Sequence, residues 1–327
     1  MFKDGRVNYY LNPSNFTQTA DGVDIEEKLL NGEDGDVMIE FEKFAYRIYD
    51  EGQYVYVSIS NNAEDIAKDL RYKYLPFTRK REGDCEKVYI GAFHGSVMDN
   101  KLRSLPAMPT VNITIGDARN AAQTNGEGYE QLTFYQWTML QCLYLIRYGN
   151  LNAQACLGKG YTEAEDVDTA GMTVYDGMYH GSIEDGTVHV KFAGIEDFYG
   201  NIGNFIDGIY CNDNYHAMAA TTNFNDSAQG YTDLGAIGAE DNYGVLETIW
   251  GDTALGFIPK TYITEDEMTE TSLEEFFSDR AAVYSGGLSF AGAGFDYGSN
   301  GGPFFFLLGI PAGGADSNVG ARLSYYK

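Results

Sequence analysis

Residues 276–326 read FFSDRAAVYSGGLSFAGAGFDYGSNGGPFFFLLGIPAGGADSNVGARLSYY and contain no Lys, Glu, Gln, Met or Trp. The first 275 residues hold 52 residues of those five types, so at uniform composition about nine or ten would fall in this stretch. One cause of such a bias is a buried, turn-rich β terminus, in which Gly makes the turns and Phe and Leu fill a core. The other is codon diversification: Asn-type codons randomised at their first two bases reach Phe, Tyr, Ser, Gly, Ala, Asp, Leu, Ile and Pro, and never the five missing types. The stretch would then be a binding surface built to vary, and Tyr, Ser, Gly and Asn are the residues that adaptable binding loops favour.

Along a strand, successive side chains alternate, so Phe304, Phe306 and Leu308 take one side and Phe305, Leu307 and Gly309 the other. One set must pack inward. An exposed Phe305, Leu307 and Ile310 would form an apolar patch that calls for a ligand or a neighbouring subunit to cover it.

The elements Gly292-Ala293-Gly294-Phe295, Gly298, Gly301-Gly302-Pro303-Phe304 and Gly320-Ala321-Arg322-Leu323 run in order without a gap. In this they resemble the closing segment of C-type-lectin-fold phage tail proteins and diversity-generating-retroelement variable proteins, which share their fold with formylglycine-generating enzymes. The family usually has Gly-Gly-x-Trp near the start of the segment; Ala293 and Phe295 stand in for that Gly and Trp. The run from Leu140 to Gln154 resembles the same tail proteins. Gly194 to Gly208 resembles the Gly-Asn-Val-Trp-Glu-Trp element of the formylglycine-generating-enzyme fold, with Gly203, Asn204 and Phe205 replacing Trp-Glu-Trp.

By this resemblance Phe304, Phe306 and Leu308 match scaffold positions. Gly294, Asp296, Tyr297, Ser299, Asn300, Phe305, Leu307, Gly309, Ile310, Gly314, Asp316 and Asn318 match positions that vary among relatives and would form the ligand-binding surface. The fold implied is α+β and C-type-lectin-like, with short helices, twisted antiparallel strands and long loops. It would cover residues 36–327, with a variable segment at about 285–324, behind an N-terminal arm or linker of residues 1–35.

The first 35 residues are polar and turn-rich, without a basic segment followed by an apolar run, so no signal peptide is expected. No stretch reaches 18 apolar residues free of charge, which argues against a membrane-spanning helix. At 327 residues and 44% hydrophobic content the chain has ample material for a core, in one large domain or two. A net charge of −26 repels phosphates and anionic lipid, which places nucleic acid and membrane surfaces low among partners. Cys85, Cys142, Cys156 and Cys211 lack CxxC spacing and are too sparse for a disulfide scaffold. Reduced, buried thiols suit assembly in a cytoplasm; a Cys142–Cys156 bridge is the alternative.

Alternation at Val37, Ile39 and Phe41 and again over Tyr54–Ile59, about the turn Asp50-Glu51-Gly52, predicts a hairpin. Lys87–Phe93 reads as a strand, and the basic interruption Arg71–Arg81 as a solvated loop. A short helix is predicted after Thr114, ending at Asn125-Gly126. A longer one is predicted from about Glu130 to Tyr148, with an apolar stripe of Leu132, Tyr135, Met139, Leu143 and Ile146. Residues 162–185 read as loop, Thr187–Phe192 as a strand, and 212–256 as long loops. Ser272-Leu273-Glu274-Glu275 has capping-box spacing.

Formylglycine-type oxidation needs thiols beside the substrate groove, and no cysteine follows Cys211. His94, His180, His189 and His216 stand apart in sequence without HExxH spacing, and no nucleophile elbow or phosphate loop is present. The expected function is therefore non-enzymatic. Asp, Asn and Gly are abundant at 212–241, where a lectin fold can hold a structural calcium through oxygen ligands; no other cofactor is expected. Binding remains: a receptor-binding or adhesin protein of a phage or prophage tail, recognising a host-cell-surface protein or glycan. It would act in the virion, among other tail proteins, as a homo-oligomer for which a trimer is one form. The rival is a structural virion or tail-tip component whose terminal segment packs against other subunits.

Overall fold

The computed structural model describes residues 1–2, 4–79, 83–263 and 277–327. Ser272–Glu275, expected to start a helix, lie outside the described residues. The architecture is mixed α+β, dominated by strands, with four α-helices among the described residues.

A nine-stranded sheet organises the molecule. Its path runs Thr232–Ala236, His216–Ala219, Gly203–Cys211, Gly287–Ala291, Phe306–Ile310, Arg280–Val283, Asn242–Ile249 and Pro259–Ile263, and Val319–Gly320 pairs with Gly203–Cys211 off that path. Pairing is antiparallel except where Phe306–Ile310 lies parallel to Arg280–Val283 and Val319–Gly320 parallel to the start of Gly203–Cys211. The terminal segment predicted to matter most thus supplies the centre of the sheet. A second sheet, four strands in the order Tyr129–Gln131, Leu323–Tyr326, Lys87–Gly91 and Met38–Glu42, is closed by the end of the same segment.

Each face of the large sheet has its own core. Phe304, Phe306, Leu308, Ala291 and Ile206 pack with helix Phe134–Tyr148 on one face; Phe205, Leu288, Phe290, Phe305 and Val319 pack with helix Ile115–Gln123 on the other. The period of two puts alternate residues of Phe306–Ile310 into different cores.

Both helices start where a threonine caps them. Thr114 accepts from the backbone N–H of Asp117 at 3.1 Å, and Thr133 forms a reciprocal capping box with Gln136. The second helix begins at Phe134, four residues later than its apolar pattern suggested, because Tyr129–Gln131 is drawn into the four-stranded sheet by pairing with Leu323–Tyr326. Nor is it amphipathic in the expected way: Phe134 to Cys142 are all buried, Gln136, Thr138 and Gln141 included, whereas Ile146 is 49% exposed.

Several further expectations change. Met38–Glu42 joins the four-stranded sheet, and the hairpin is instead Ala45–Glu51 with Tyr54–Ser60. Residues 212–256 hold three strands, since ladder pairing tolerates the Ala, Asn and Gly that mask periodicity; Ala217 and Ala219 are the buried residues of His216–Ala219, and Val245, Leu246 and Ile249 those of Asn242–Ile249. Of the strand expected at Thr187–Phe192 only Lys191–Phe192 forms, because His189 turns into a polar cluster. Residues 1–35 are no free arm: Phe16, Ile25 and Leu29 are buried against Ala92, Phe93 and Val174, and Phe16 N–H donates to the Val174 carbonyl at 2.7 Å. Three apolar residues scattered among turns leave no period to read. Cys142, Cys156 and Cys211 are free thiols, so the alternative Cys142–Cys156 bridge does not form; Cys142 and Cys211 are buried and Cys85 and Cys156 half-buried.

Candidate ligand-binding surface

The loop leading into Phe306–Ile310 is held by its backbone. Gln154 donates from one side-chain nitrogen to the carbonyls of Gly298 and Gly301, both at 2.8 Å. Gln141 donates to the Pro303 carbonyl at 2.8 Å. Gly298 N–H bonds the Thr162 carbonyl, and Ala164 N–H bonds the Phe295 carbonyl. Beneath them, buried Asp279 accepts from Phe304 N–H at 2.6 Å and from the Ser278 hydroxyl at 2.9 Å. Burial pushes the Asp279 carboxyl up to about 7. Residues 295–304 enter these anchors through main-chain atoms alone, so the exposed side chains of Asp296 and Ser299 are exchangeable without loss of them, whereas a side chain at Gly302 would meet the Asp279 carboxylate at 2.4 Å.

Among the twelve positions expected to vary, Asp296, Ser299 and Asp316 are exposed, and Tyr297, Asn300, Leu307, Gly309, Ile310, Gly314 and Asn318 are half-buried. The hydrogen bonds of their side chains to one another include Asn318 to Asp296 at 3.0 Å. Tyr297, Leu307, Ile310, Gly314, Asp316 and Asn318 converge on one cleft of about 280 Å³. Phe205, Phe290, Pro311, Ala315 and Val319 complete it. Among the described residues no basic side chain lines it, and Asp316 gives it an acidic rim.

Three of the twelve depart from the expectation. Phe305 is 3% exposed, wedged between Tyr297 at a ring-centroid distance of 4.8 Å and Phe290 at 5.7 Å. Alternation separates it from Phe304 and Phe306, but the face it joins is itself covered by helix Ile115–Gln123 and its neighbours. Gly294 is buried, and a Cβ there would meet Asn318 at 3.0 Å. Gly309 sits at φ +116°, and a Cβ would come within 2.4 Å of the Tyr284 carbonyl oxygen, so this glycine is required by the backbone.

Phe205 carried a sequence signal, lying in the element that resembles Gly-Asn-Val-Trp-Glu-Trp. Gly203, Asn204 and Phe205 are all buried in the central strand. Ala293, in the Gly292–Phe295 element, holds φ +62° with its methyl fully buried.

The histidines are not all isolated. His189 Nδ1 lies 2.9 Å from Asp197 and Nε2 3.2 Å from Asp168. His94, fully buried, has both ring nitrogens unpaired, with Nδ1 3.7 Å from Asp197. His189, Glu196 and Asp197 bring ligand-type atoms within 4.8 Å of one another, a set that could hold a cation. Its lone pairs are already engaged, however: Glu196 accepts from Gly171 N–H and from Thr173 N–H and hydroxyl, and Asp197 from Asn201. Burial alone would lower the His189 pKa, but Asp197 outweighs it and holds the imidazolium up to about 9. With Lys191 and Arg322 beside the carboxylates, charges of both signs are present, and we read a structural ion network. Arg322 closes it. Fully buried, it donates to the carbonyls of Gly91, Ala92, Glu196 and Asp197 and to the Asn204 side chain, at 2.9–3.2 Å. In the 212–241 region, considered for calcium, Asp226 pairs with Arg119, Asp233 with His216, and Asp241 with the Tyr215 hydroxyl.

Among the described residues no helix is long and apolar enough to cross a membrane. No protein-family model matches the chain, and no curated protein matches it.

Proposed function

We propose that this chain is a receptor-binding protein of a phage or prophage tail, built on a C-type-lectin-like fold, that recognises a host-cell-surface protein or glycan through the cleft around Tyr297, Leu307 and Ile310. The observation that carries this reading is the division of labour in the terminal segment. Its backbone is pinned by Gln141, Gln154 and Asp279, Phe304, Phe306 and Leu308 fill the core, and the side chains of Tyr297, Leu307, Ile310, Asp316 and Asn318, which face the cleft, make none of those backbone anchors. Such a surface can change its ligand while keeping its shape. Recognition is by contact, without covalent chemistry or a cofactor, and no thiol lines the cleft.

The test is adsorption of tail particles carrying Tyr297→Ala, Leu307→Ala and Ile310→Ala together. Host-cell binding should fall tenfold or more, about 1.4 kcal/mol, with the isolated chain melting within a few degrees of wild type. Unchanged adsorption overturns the reading. Failure of particles to assemble around a folded chain would favour the rival role of a structural tail component.

At the gene, a reverse transcriptase and a near-copy of roughly the last 120 nucleotides should lie nearby, with template adenines at the codons for 296, 297, 299, 300, 307, 310, 316 and 318. The codon for Gly309 should carry none.

A further inference from the structure

The hairpin Ala45–Glu51/Tyr54–Ser60 has one edge sealed by hydrogen bonds and one whose outward backbone groups find no backbone partner among the described residues. On the first strand, Tyr46 exchanges both backbone hydrogen bonds with Lys73, and Thr253 Oγ1 bridges Ile48 N–H and carbonyl. Those groups point away from the second strand, so Tyr46 and Ile48 occupy non-hydrogen-bonded pairs of the ladder. Their partners by register are Ile59 and Val57, and Asp50 pairs with Val55 in the same phase. Hence Val55, Val57 and Ile59 aim N–H and C=O outward, and among the described residues these groups have no backbone partner.

Three other sheet edges among the described residues are guarded in the usual ways. Met38–Glu42 carries Glu40 and Glu42; Thr232–Ala236 has a bulge and Asp233; Pro259–Ile263 begins with Pro259, carries Lys260 and is twice bulged against its neighbour. Tyr54–Ser60 has none of these. Its seven residues, YVYVSIS, are uncharged and in unbroken register, in a chain of net charge −26. Tyr54 is 61%, Val55 40% and Tyr56 41% exposed, and Val57 to Ser60 are half-buried, Val57 and Ile59 packing one face onto the core.

We propose that Tyr54–Ser60 is a homodimer interface at which a second copy of the chain adds its own Tyr54–Ser60 antiparallel about a two-fold axis through Val57. The occupant follows from self-complementarity. Centred there, Val57 meets Val57, Val55 meets Ile59, Tyr56 meets Ser58 and Tyr54 meets Ser60, so large side chains face small ones and β-branched faces β-branched. About six inter-chain backbone hydrogen bonds form, because the three outward residues of each copy fall opposite one another. A two-fold interface closes on itself, which limits assembly to a pair. The strand is neutral where two acidic molecules must meet, and the repulsion left between them is long-range and screened by salt.

The test is sedimentation of the full chain over a concentration series at low and high salt, together with hydrogen exchange of the 54–60 peptide. The mass should double with concentration, more readily at high salt, and exchange in 54–60 should slow in step. Val55→Pro, which removes an outward N–H unused within the hairpin, should restore the single-chain mass. A chain that stays monomeric, a dimer indifferent to Val55→Pro, or association without protection of 54–60 overturns the proposal. Protection of a monomer only on adding another tail protein would assign the edge to a foreign strand and also overturn it. If Val55→Pro unfolds the chain, wild-type exchange alone decides.

Discussion

Replacing Phe305 and Leu307 by alanine, separately, measures which way the terminal strand faces. Phe305 is 3% exposed and touches Phe290 and Tyr297 ring to ring; truncating such a side chain costs about 4 kcal/mol in lost transfer energy and cavity. Leu307 is half-buried on the cleft wall, so about half of a full transfer term is lost, roughly 1 to 1.5 kcal/mol. An unfolding entropy of ~2.1 cal/mol/K per residue over 327 residues gives roughly 0.7 kcal/mol/K. The melting temperature should therefore drop by about 6 °C for Phe305→Ala and about 2 °C for Leu307→Ala. Calorimetry of the two purified variants, with urea midpoints as a second measure, reads both values. Equal losses, or a Phe305→Ala variant within about 0.5 kcal/mol of wild type, would refute the assignment of Phe305 to the frame and return it to the displayed surface.

Two further outcomes follow from buried charge. The Asp279 carboxyl has a folded pKa of about 7, above an unfolded value of about 3.9. Its contribution is fully present below the unfolded value and is lost as pH rises through 7, so wild type should lose up to about 4 kcal/mol relative to Asp279→Asn between pH 4 and 8. Asparagine still accepts from Phe304 N–H, and urea denaturation curves that stay parallel across this range would contradict the reading. At Arg322, both Arg322→Gln and Arg322→Lys should cost about 3–5 kcal/mol by chemical denaturation, because neither replaces a planar fork serving five acceptors. An Arg322→Lys variant within about 1 kcal/mol of wild type would show that charge alone is needed there.

Much of the local structure could be read directly. Thr114 and the Asn125-Gly126 stop bracketed their helix, and alternation sorted Phe304, Phe306 and Leu308 from their neighbours. The cleft was half legible: Tyr297, Leu307, Ile310, Gly314, Asp316 and Asn318 came from the terminal segment. Phe205 came from a strand far upstream and Phe290 from a neighbouring strand of the terminal segment, an adjacency no spacing announces, and Gln154 and Asp279 carried no mark of the loop they hold. His94 and His189 lie 95 residues apart in neither motif nor period, and only the path of the chain brings both to Asp197.

By itself the sequence determined which residues could alternate, cap or turn, because those are short-range properties of backbone geometry and side-chain chemistry. It also marked residues 276–326 as compositionally apart. Tertiary structure alone decided that the sheet would be covered on both faces. An alternating pattern tells two faces apart but does not say which is wet, since burial depends on what packs against the strand from elsewhere in the chain. Helix Ile115–Gln123 and Phe290 make that choice for Phe305, and the Tyr284 carbonyl makes it for Gly309.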